Sequence, residues 1–172
     1  MSVVIDGTSG ITFPDSSSQS AAAASGLEFI ASADASNSSG LVFTGFDSAA
    51  YDSYRFVLGN VVPATDGANL RMSMSSNGGS SYVTWVTFAS TVGSASTEYG
   101  ASGEIEIYFP HLAIDTWVWS NAAYENNSGN EANTMLWTRW YGAYGEINTV
   151  RFHTSLGNVE SGTVTMYGYK NT

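Results

Sequence analysis

Cysteine is absent from this chain of 172 residues, so the sequence offers neither a disulfide framework nor a thiolate metal site. Cationic side chains are scarce as well: five Lys and Arg stand against 15 Asp and Glu, and the formal net charge is −10. Because phosphate binding needs clustered Lys and Arg, this balance argues against nucleic acid as a partner, and it equally disfavours an anionic membrane surface. We therefore expect a protein made in a cytosol and adapted to bulk solvent.

Long apolar runs are also missing, so we expect no membrane insertion. The N-terminus lacks the basic and apolar regions of a signal peptide. Charged residues make up only 12% of the chain and hydrophobic residues 43%, while Gly, Ser, Thr and Asn are abundant. Stable helices would need periodic Glu, Lys, Leu and Ala, whereas this composition favours short strands and turns around a substantial core.

The middle of the chain carries the clearest strand pattern. Apolar and polar side chains alternate in Tyr54–Gly59 and again in Leu70–Ser75, a period of two that indicates strands with one buried face. Asp66-Gly67 and Asn77-Gly78-Gly79 interrupt the pattern, since Asn and Gly reach the positive φ angles that tight turns need. A third strand is predicted from about Ser81 to Ala89.

Other segments have the same character, and together they predict about ten short strands. The further predicted strands are Leu27–Ala31, Leu41–Phe43, Glu104–Phe109, Thr116–Ala123, Asn133–Tyr144, Val150–Thr154 and Gly162–Lys170. In one of them we expect Ile105, Ile107 and Phe109 to point inward. The number of strands and the regular turns indicate an all-β, antiparallel β-sandwich that is jelly-roll-like, with a single closed barrel as the alternative.

The first 26 residues differ from the rest. Val3–Ile5 and Ile11–Phe13 read as two brief extended pieces, and a Ser- and Ala-rich stretch follows them. The stretch suits a flexible linker, although its alanines would also suit a short helix. We therefore divide the chain into an N-terminal anchoring arm, residues 1–26, and a β-sandwich domain, residues 27–172. The anchoring residues predicted in the arm are Val3, Val4, Ile5, Ile11 and Phe13.

Aromatic residues crowd two of the later strands. The residues concerned are Trp117, Trp119, Trp137, Trp140, Tyr141 and Tyr144. Strand alternation puts Trp137 and Tyr141 on one face and Trp140 on the other, so some of the rings must lie outside a single core. Exposed rings mark either a subunit interface or a sugar-stacking platform, and we favour the interface.

No catalytic motif is present. Glu104 and Glu106 lie about 7 Å apart on one strand face, a spacing compatible with glycoside hydrolysis, but two solvated surface charges are the simpler interpretation. Asp47, Asp52 and Asp66 could contribute oxygens to a calcium site near the loop ends, but they lack the spacing of a calcium-binding loop. We predict no catalytic residues, no metal site and no cofactor.

The segment from Val3 to Asp15, VVIDGTSGITFPD, resembles an N-terminal segment common in tail-fibre and other structural proteins of tailed bacteriophages. The body resembles small phage virion β-sandwich domains in four short pieces: Phe43–Phe46, Tyr51–Tyr54, Asn77–Tyr82 and Ser161–Gly168. This resemblance implies a component of the virion surface that is usually trimeric and carries no catalytic residues. Because the chain is short and lacks a repetitive shaft, the resemblance favours a head-decoration (cement) protein or a short fibre or spike.

The expected function is thus that of a non-enzymatic structural protein, assembled in the host cytoplasm and displayed on the virion surface. Its expected partners are other copies of itself, as a homotrimer, and a capsid or tail protein of the same virion. The alternative is a receptor-binding module that recognises a host surface glycan, with loops 90–103 and 124–132 shaping the site. A glycan-cleaving enzyme that uses Glu104 and Glu106 is the third hypothesis.

Overall fold

The structure, a computed structural model, describes residues 4–6, 10–12, 18–19, 26–112, 114–141 and 145–171. These residues form thirteen β-strands, and no helix that could cross a membrane occurs among them. In chain order the strands are β1 Val4–Asp6, β2 Gly10–Thr12, β3 Ser18–Gln19, β4 Leu27–Asp34, β5 Leu41–Phe43, β6 Tyr51–Pro63, β7 Ala68–Ser75, β8 Thr84–Val92, β9 Ala101–Tyr108, β10 Thr116–Glu125, β11 Glu131–Trp140, β12 Thr149–Thr154 and β13 Val159–Lys170.

The arm contains a small antiparallel sheet in the order β1-β2-β3. Val4 lies opposite Thr12, and Ile11 lies opposite Gln19. Both extended pieces predicted from the sequence therefore contain a strand. Val3, Phe13 and the alanine-rich stretch, for which a short helix was the alternative, lie outside the described residues.

The ten strands β4 to β13 form two antiparallel sheets that pack face to face, which confirms the predicted sandwich and not the closed barrel. One sheet has the order β11-β10-β9-β6-β13-β4 and the other the order β5-β12-β7-β8. Most connections cross from sheet to sheet, as in a jelly roll, whereas β7–β8 and β9–β10–β11 each stay within one sheet. The β10–β11 hairpin is an addition beside β9 that widens the larger sheet to six strands.

The core lies between the sheets and is rich in aromatic residues. Phe152 is 1% exposed, and its ring centroid lies 5.2 Å from that of Phe56, 5.9 Å from that of Phe43 and 6.1 Å from that of Phe88. Alternation explains the arrangement, because every second residue of β7, of β12 and of the Tyr54–Leu58 part of β6 points inward.

Two of the sequence predictions about strand ends were wrong. β8 continues to Val92, which is fully buried, so the loop expected over residues 90–103 spans only residues 93–100. Phe109 was expected to point inward, but it lies just beyond β9 with φ of 51°, and its side chain is 48% exposed. The left-handed backbone at this position breaks the alternation of the strand and turns the ring outward.

Gly162 illustrates why β13 is longer than expected. The strand starts at Val159, and its pairing with β6 shifts register on both sides of Ser161. Gly162 has φ of 107°, and a Cβ there would lie 2.4 Å from the backbone oxygen of Asn60. Glycine therefore lets the irregular start of β13 stay against β6, where a side chain would collide with the backbone.

Candidate functional site

Aromatic and charged side chains cover the outer face of the six-stranded sheet. One line of directly opposed residues crosses all six strands: Trp137, Trp119, Glu106, Arg55, Tyr167 and Phe29. Tyr108 and Tyr169 lie in the neighbouring line, each opposite Ser53. We call this surface the outer aromatic face. Because the sandwich core is filled by other residues, the aromatic rings of the outer aromatic face are additional to the core and lie on the solvent side of the sheet.

The aromatic residues singled out from the sequence divide between the two sides of the sheet. Trp117, Trp137 and Tyr141 are exposed, with 52%, 57% and 48% of their surface accessible. Trp119 is half-buried, and its ring centroid lies 6.3 Å from that of Trp137. These four residues lie on or beside the outer aromatic face.

Trp140 belongs to the opposite side. Its side chain is fully buried in the core, and its indole N–H donates to the backbone oxygen of Gly145 at 2.8 Å. The predicted strand that contained it also ends here, since β11 stops at Trp140. Tyr144 lies outside the described residues.

Four further aromatic residues of the outer aromatic face were missed in the sequence: Tyr108, Phe29, Tyr167 and Tyr169. The ring of Tyr108 stacks on Trp137 with centroids 6.4 Å apart and planes 13° from parallel. Phe29 is 63% exposed and makes an edge contact with Tyr167. Alternation within β13 could have shown that Tyr167 and Tyr169 face away from the core residues Val164 and Met166, but the pairing with β4 depends on contacts distant in the chain.

Glu106 organises the polar centre of the outer aromatic face. Its residue is only 6% exposed, and one carboxylate oxygen accepts from Arg55 Nε at 2.8 Å and from the Tyr169 hydroxyl at 2.5 Å. The other oxygen accepts from the Tyr108 hydroxyl. Burial alone would raise the pKa of Glu106, but hydrogen bonds from Tyr108, Tyr169 and Arg55 outweigh it, so the pKa is lowered.

The two tyrosines respond in the opposite direction. Burial, followed by the hydrogen bond to Glu106, raises the pKa of Tyr108 and of Tyr169 to about 12. Both hydroxyls are therefore fixed as protonated donors at neutral pH. Such a network holds Arg55 and the two rings in one arrangement and makes the face rigid.

This network corrects the interpretation of Glu104 and Glu106 as two solvated charges. Only Glu104 is partly solvated, with its carboxylate 3.3 Å from Arg55 Nη1. Glycoside hydrolysis requires a carboxylic acid whose pKa is raised, so that it can protonate the leaving group. The lowered pKa of Glu106 is the reverse of that requirement.

A shallow groove lies at the turn end of the β10–β11 hairpin. It is lined by residues of the 93–100 loop, of β9 and of the hairpin, among them Tyr99, Ser102, Glu125, Glu131 and Asn133. Tyr99 is 75% exposed, and its backbone N–H donates to Glu125 at 3.1 Å. The two loops assigned to the glycan alternative thus border one groove.

The groove and the exposed tryptophans do not lie together. Trp117 pairs with Arg139 at one end of the hairpin, whereas Glu125 pairs with Glu131 at the other end. Trp117 and Glu125 are eight positions apart along β10, which corresponds to about 26 Å. A single small ligand cannot contact both.

The smaller sheet contains a serine and a histidine in contact. Ser73 Oγ lies 2.8 Å from His153 Nε2, and His153 Nδ1 lies 2.9 Å from the backbone oxygen of Thr154. Burial, and then the charges of Arg151 and Arg71, lower the pKa of His153, so the imidazole is neutral at pH 7. Ser73 is 7% exposed within a strand paired on both sides, where backbone N–H groups are not free to form an oxyanion hole. The contact with His153 therefore gives the buried Ser73 hydroxyl a hydrogen-bond partner.

No group of three or more His, Asp or Glu side chains that could hold a metal ion occurs in the described part of the chain. Comparison with protein-family models, with curated proteins and with solved structures gives no match for this chain in any of the three. Proposals about function therefore depend on the residues themselves.

Proposed function

We propose that the protein is a non-enzymatic structural component of a tailed-bacteriophage virion surface, a head-decoration protein or a short fibre or spike. In this proposal the N-terminal arm, residues 1–26, attaches it to a capsid or tail protein. The sandwich, residues 27–172, assembles with copies of itself, as a trimer. The resemblance of the Val3–Asp15 segment to phage structural proteins supplies the location, and the outer aromatic face supplies the means of assembly.

The exposure of the outer aromatic face is the observation that supports the proposed assembly most directly. Trp117, Trp137 and Phe29 each leave half or more of their surface accessible, although the chain already has a complete core. Exposed aromatic side chains gathered on one face of a soluble protein mark interaction sites. Large, rigid aromatic side chains are also the residues that contribute most at subunit interfaces.

The polar centre of the same face suits permanent assembly. Arg55 and Glu106 are already paired within the chain, so covering them leaves no charge without a partner. Breaking a buried ion pair is costly, whereas covering a complete one is tolerated. The face can therefore be buried against another subunit without new charged contacts.

Replacing Trp117 and Phe29 together by serine is expected to reduce the mass of the assembly in solution. Truncation of an aromatic residue central to an interface weakens association by roughly tenfold or more. Light scattering of the wild type and of the Trp117→Ser/Phe29→Ser variant measures the change. Val42→Ser is the matched control, because Val42 is 51% exposed on the smaller sheet, and it should leave the mass unchanged.

Location on the virion is examined with particles of a phage that encodes the chain. The full chain should be recovered with gradient-purified particles, whereas a chain of residues 26–172 should fold but fail to join them. Incorporation of the truncated chain would contradict the role of the arm. Absence of the full chain from the particles would contradict the proposed function as a whole.

Recognition of a host surface glycan is the second candidate, and the groove beside Tyr99 favours it. An exposed ring next to the carboxylates of Glu125 and Glu131 and the amide of Asn133 offers both stacking and hydrogen bonding to a sugar. This site would be independent of the assembly face, since it lies at the other end of the hairpin.

If the groove binds glycan, the Tyr99→Ala variant should lose at least about tenfold in affinity on a glycan array, because ring stacking is removed. Tyr141→Ala is the control, as Tyr141 is also exposed but lies beyond the opposite end of β11. Equal binding by the two variants, or no binding by the wild type, would dismiss the glycan site.

A further inference from the structure

Strand β11 is a long and regular sheet edge. It lies at the end of the six-stranded sheet, and no other described strand pairs with its outer side. All ten of its residues pair with β10 without a register shift. The outward backbone groups of such a strand are a template for one more strand.

The other edges of the sandwich carry interruptions that discourage pairing. In β4, Ile30 falls at a register shift, because Ala31 and Phe29 lie opposite the consecutive residues Met166 and Tyr167. β5 has three residues, and the pairing of β8 with β7 shifts register twice. Bulges and short lengths are the usual protections of edge strands. Among the described edges of the sandwich, β11 alone lacks them.

The charged residues of β11 favour one register for pairing with β11 of a second copy of the chain. Glu131 stands at its first position and Arg139 near its last, and no charged residue lies between them. In an antiparallel pair centred on Met135, Glu131 of each copy lies opposite Arg139 of the other. The same register brings Asn133 opposite Trp137 and Met135 opposite its own counterpart. Shifting the pair by two residues in either direction removes both charge contacts.

We propose that β11 is the docking site for β11 of a second copy of this chain, paired antiparallel about Met135. The product is a continuous sheet of twelve strands with a two-fold axis through its centre. Residues directly opposite each other point to the same side, so the two outer aromatic faces become continuous. The apolar side chains of Met135 and Trp137, which are 68% and 57% exposed, gain cross-strand neighbours.

The charge contacts are compatible with the contacts inside each chain. Arg139 lies 3.0 Å from Asp115 and over the ring of Tyr141, with its side chain 43% exposed. A guanidinium has five N–H donors, so it can serve a second carboxylate as well. Glu131 is exposed at the far end of the strand and is available to the partner.

This pairing goes beyond the proposed function and does not depend on the virion. A two-fold contact is closed and isologous, so by itself it makes a dimer. Combined with a three-fold contact through another surface, it joins two trimers into a hexamer. The expected mass in solution is therefore that of two or six copies.

Cross-linking through a single new cysteine tests the register. The chain has no cysteine of its own, so Met135→Cys introduces one thiol per copy. Directly opposed residues have Cα atoms about 4.5–5.5 Å apart, within the range of a disulfide. With Asn133→Cys, the two thiols lie about 13 Å apart along the strands and cannot bridge. Under mild oxidation we expect at least about tenfold more covalent dimer from Met135→Cys than from Asn133→Cys.

A charge exchange tests the same register without a covalent bond. Arg139→Glu places two carboxylates opposite each other at both ends of the pair, so dimer affinity should fall about tenfold or more. The double variant Glu131→Arg/Arg139→Glu restores opposite charges and should recover the affinity. Glu160→Arg alters net charge away from β11 and should have little effect.

The outcomes separate this pairing from the proposed function. A wild type that stays monomeric or trimeric overturns the β11 pairing, as does equal cross-linking at positions 133 and 135. Loss of affinity that the double variant does not restore also overturns it. A monomeric wild type would also contradict the proposed trimer, but none of these results bears on recovery of the chain with virions, which tests the proposed location separately.

Discussion

Replacement of Phe152 by alanine is expected to lower the free energy of unfolding by about 3–5 kcal/mol. The ring is 1% exposed and contacts three other phenylalanine rings from both sheets, so its removal leaves a cavity at the centre of the sandwich. The neighbours are fixed in strands and cannot collapse fully into the space. Urea denaturation followed by fluorescence measures the loss.

Phe29→Ala is the matched control for this change. The same side chain is removed, but Phe29 is 63% exposed at the edge strand β4 and makes one edge contact, with Tyr167. Its loss from a dissociated chain should cost less than about 1 kcal/mol. Equal losses of stability in Phe152→Ala and Phe29→Ala would contradict the position of Phe152 at the centre of the packing between the two sheets.

Alternation in the sequence was sufficient to predict the strands and most of the core. Phe56, Met72 and Phe152 are buried because they occupy the inward positions of period-two segments. The period fails at Phe109, where the backbone leaves the extended region with φ of 51°. A positive φ at a residue other than Gly, Asn or Asp has no clear signal in a single sequence.

The same pattern could not decide which side of the β10–β11 hairpin faces the core. Strand alternation separates Trp137 from Trp140 but gives no direction. The side that faces the core is decided by β10, because its side chains Val118 and Ala122 are buried in the core. The register of β11 with β10 then decides which side of β11 faces the core. Trp117, Trp119 and Trp137 therefore lie on the side of the hairpin that faces away from the core.

The network around Glu106 was beyond prediction for a different reason. Arg55 is 51 residues earlier in the chain and Tyr169 is 63 residues later. Their contacts exist only because β6 and β9 pair, and because β13 inserts beside β6. A sequence shows a Glu on the polar face of a strand and gives no sign that three donors surround it.

Glu106→Gln is expected to destabilise the fold by about 2–3 kcal/mol at pH 7. The amide keeps the shape of the side chain but loses the charge, and its NH₂ group takes the place of one carboxylate oxygen. It therefore meets either the Tyr108 donor or the Arg55 and Tyr169 donors at a position where an acceptor is required. Glu104→Gln is the control, because Glu104 is a third exposed and contacts only Arg55 among the described ion pairs, so it should change stability by less than about 0.5 kcal/mol.

The difference in free energy of unfolding between wild type and Glu106→Gln should depend on pH. This dependence distinguishes loss of the carboxylate charge from loss of side-chain packing. The folded protein lowers the pKa of Glu106 below its ordinary value near 4.5, so folding favours the ionised carboxylate. Its contribution is complete above the ordinary pKa and is lost as the pH falls through the lowered one. In denaturation series from pH 7 downward, the gap between wild type and Glu106→Gln should therefore stay constant to about pH 5.5 and then narrow. A gap that stayed constant into acid would mean that Glu106 contributes by packing, and that the outer aromatic face is not held by its charge.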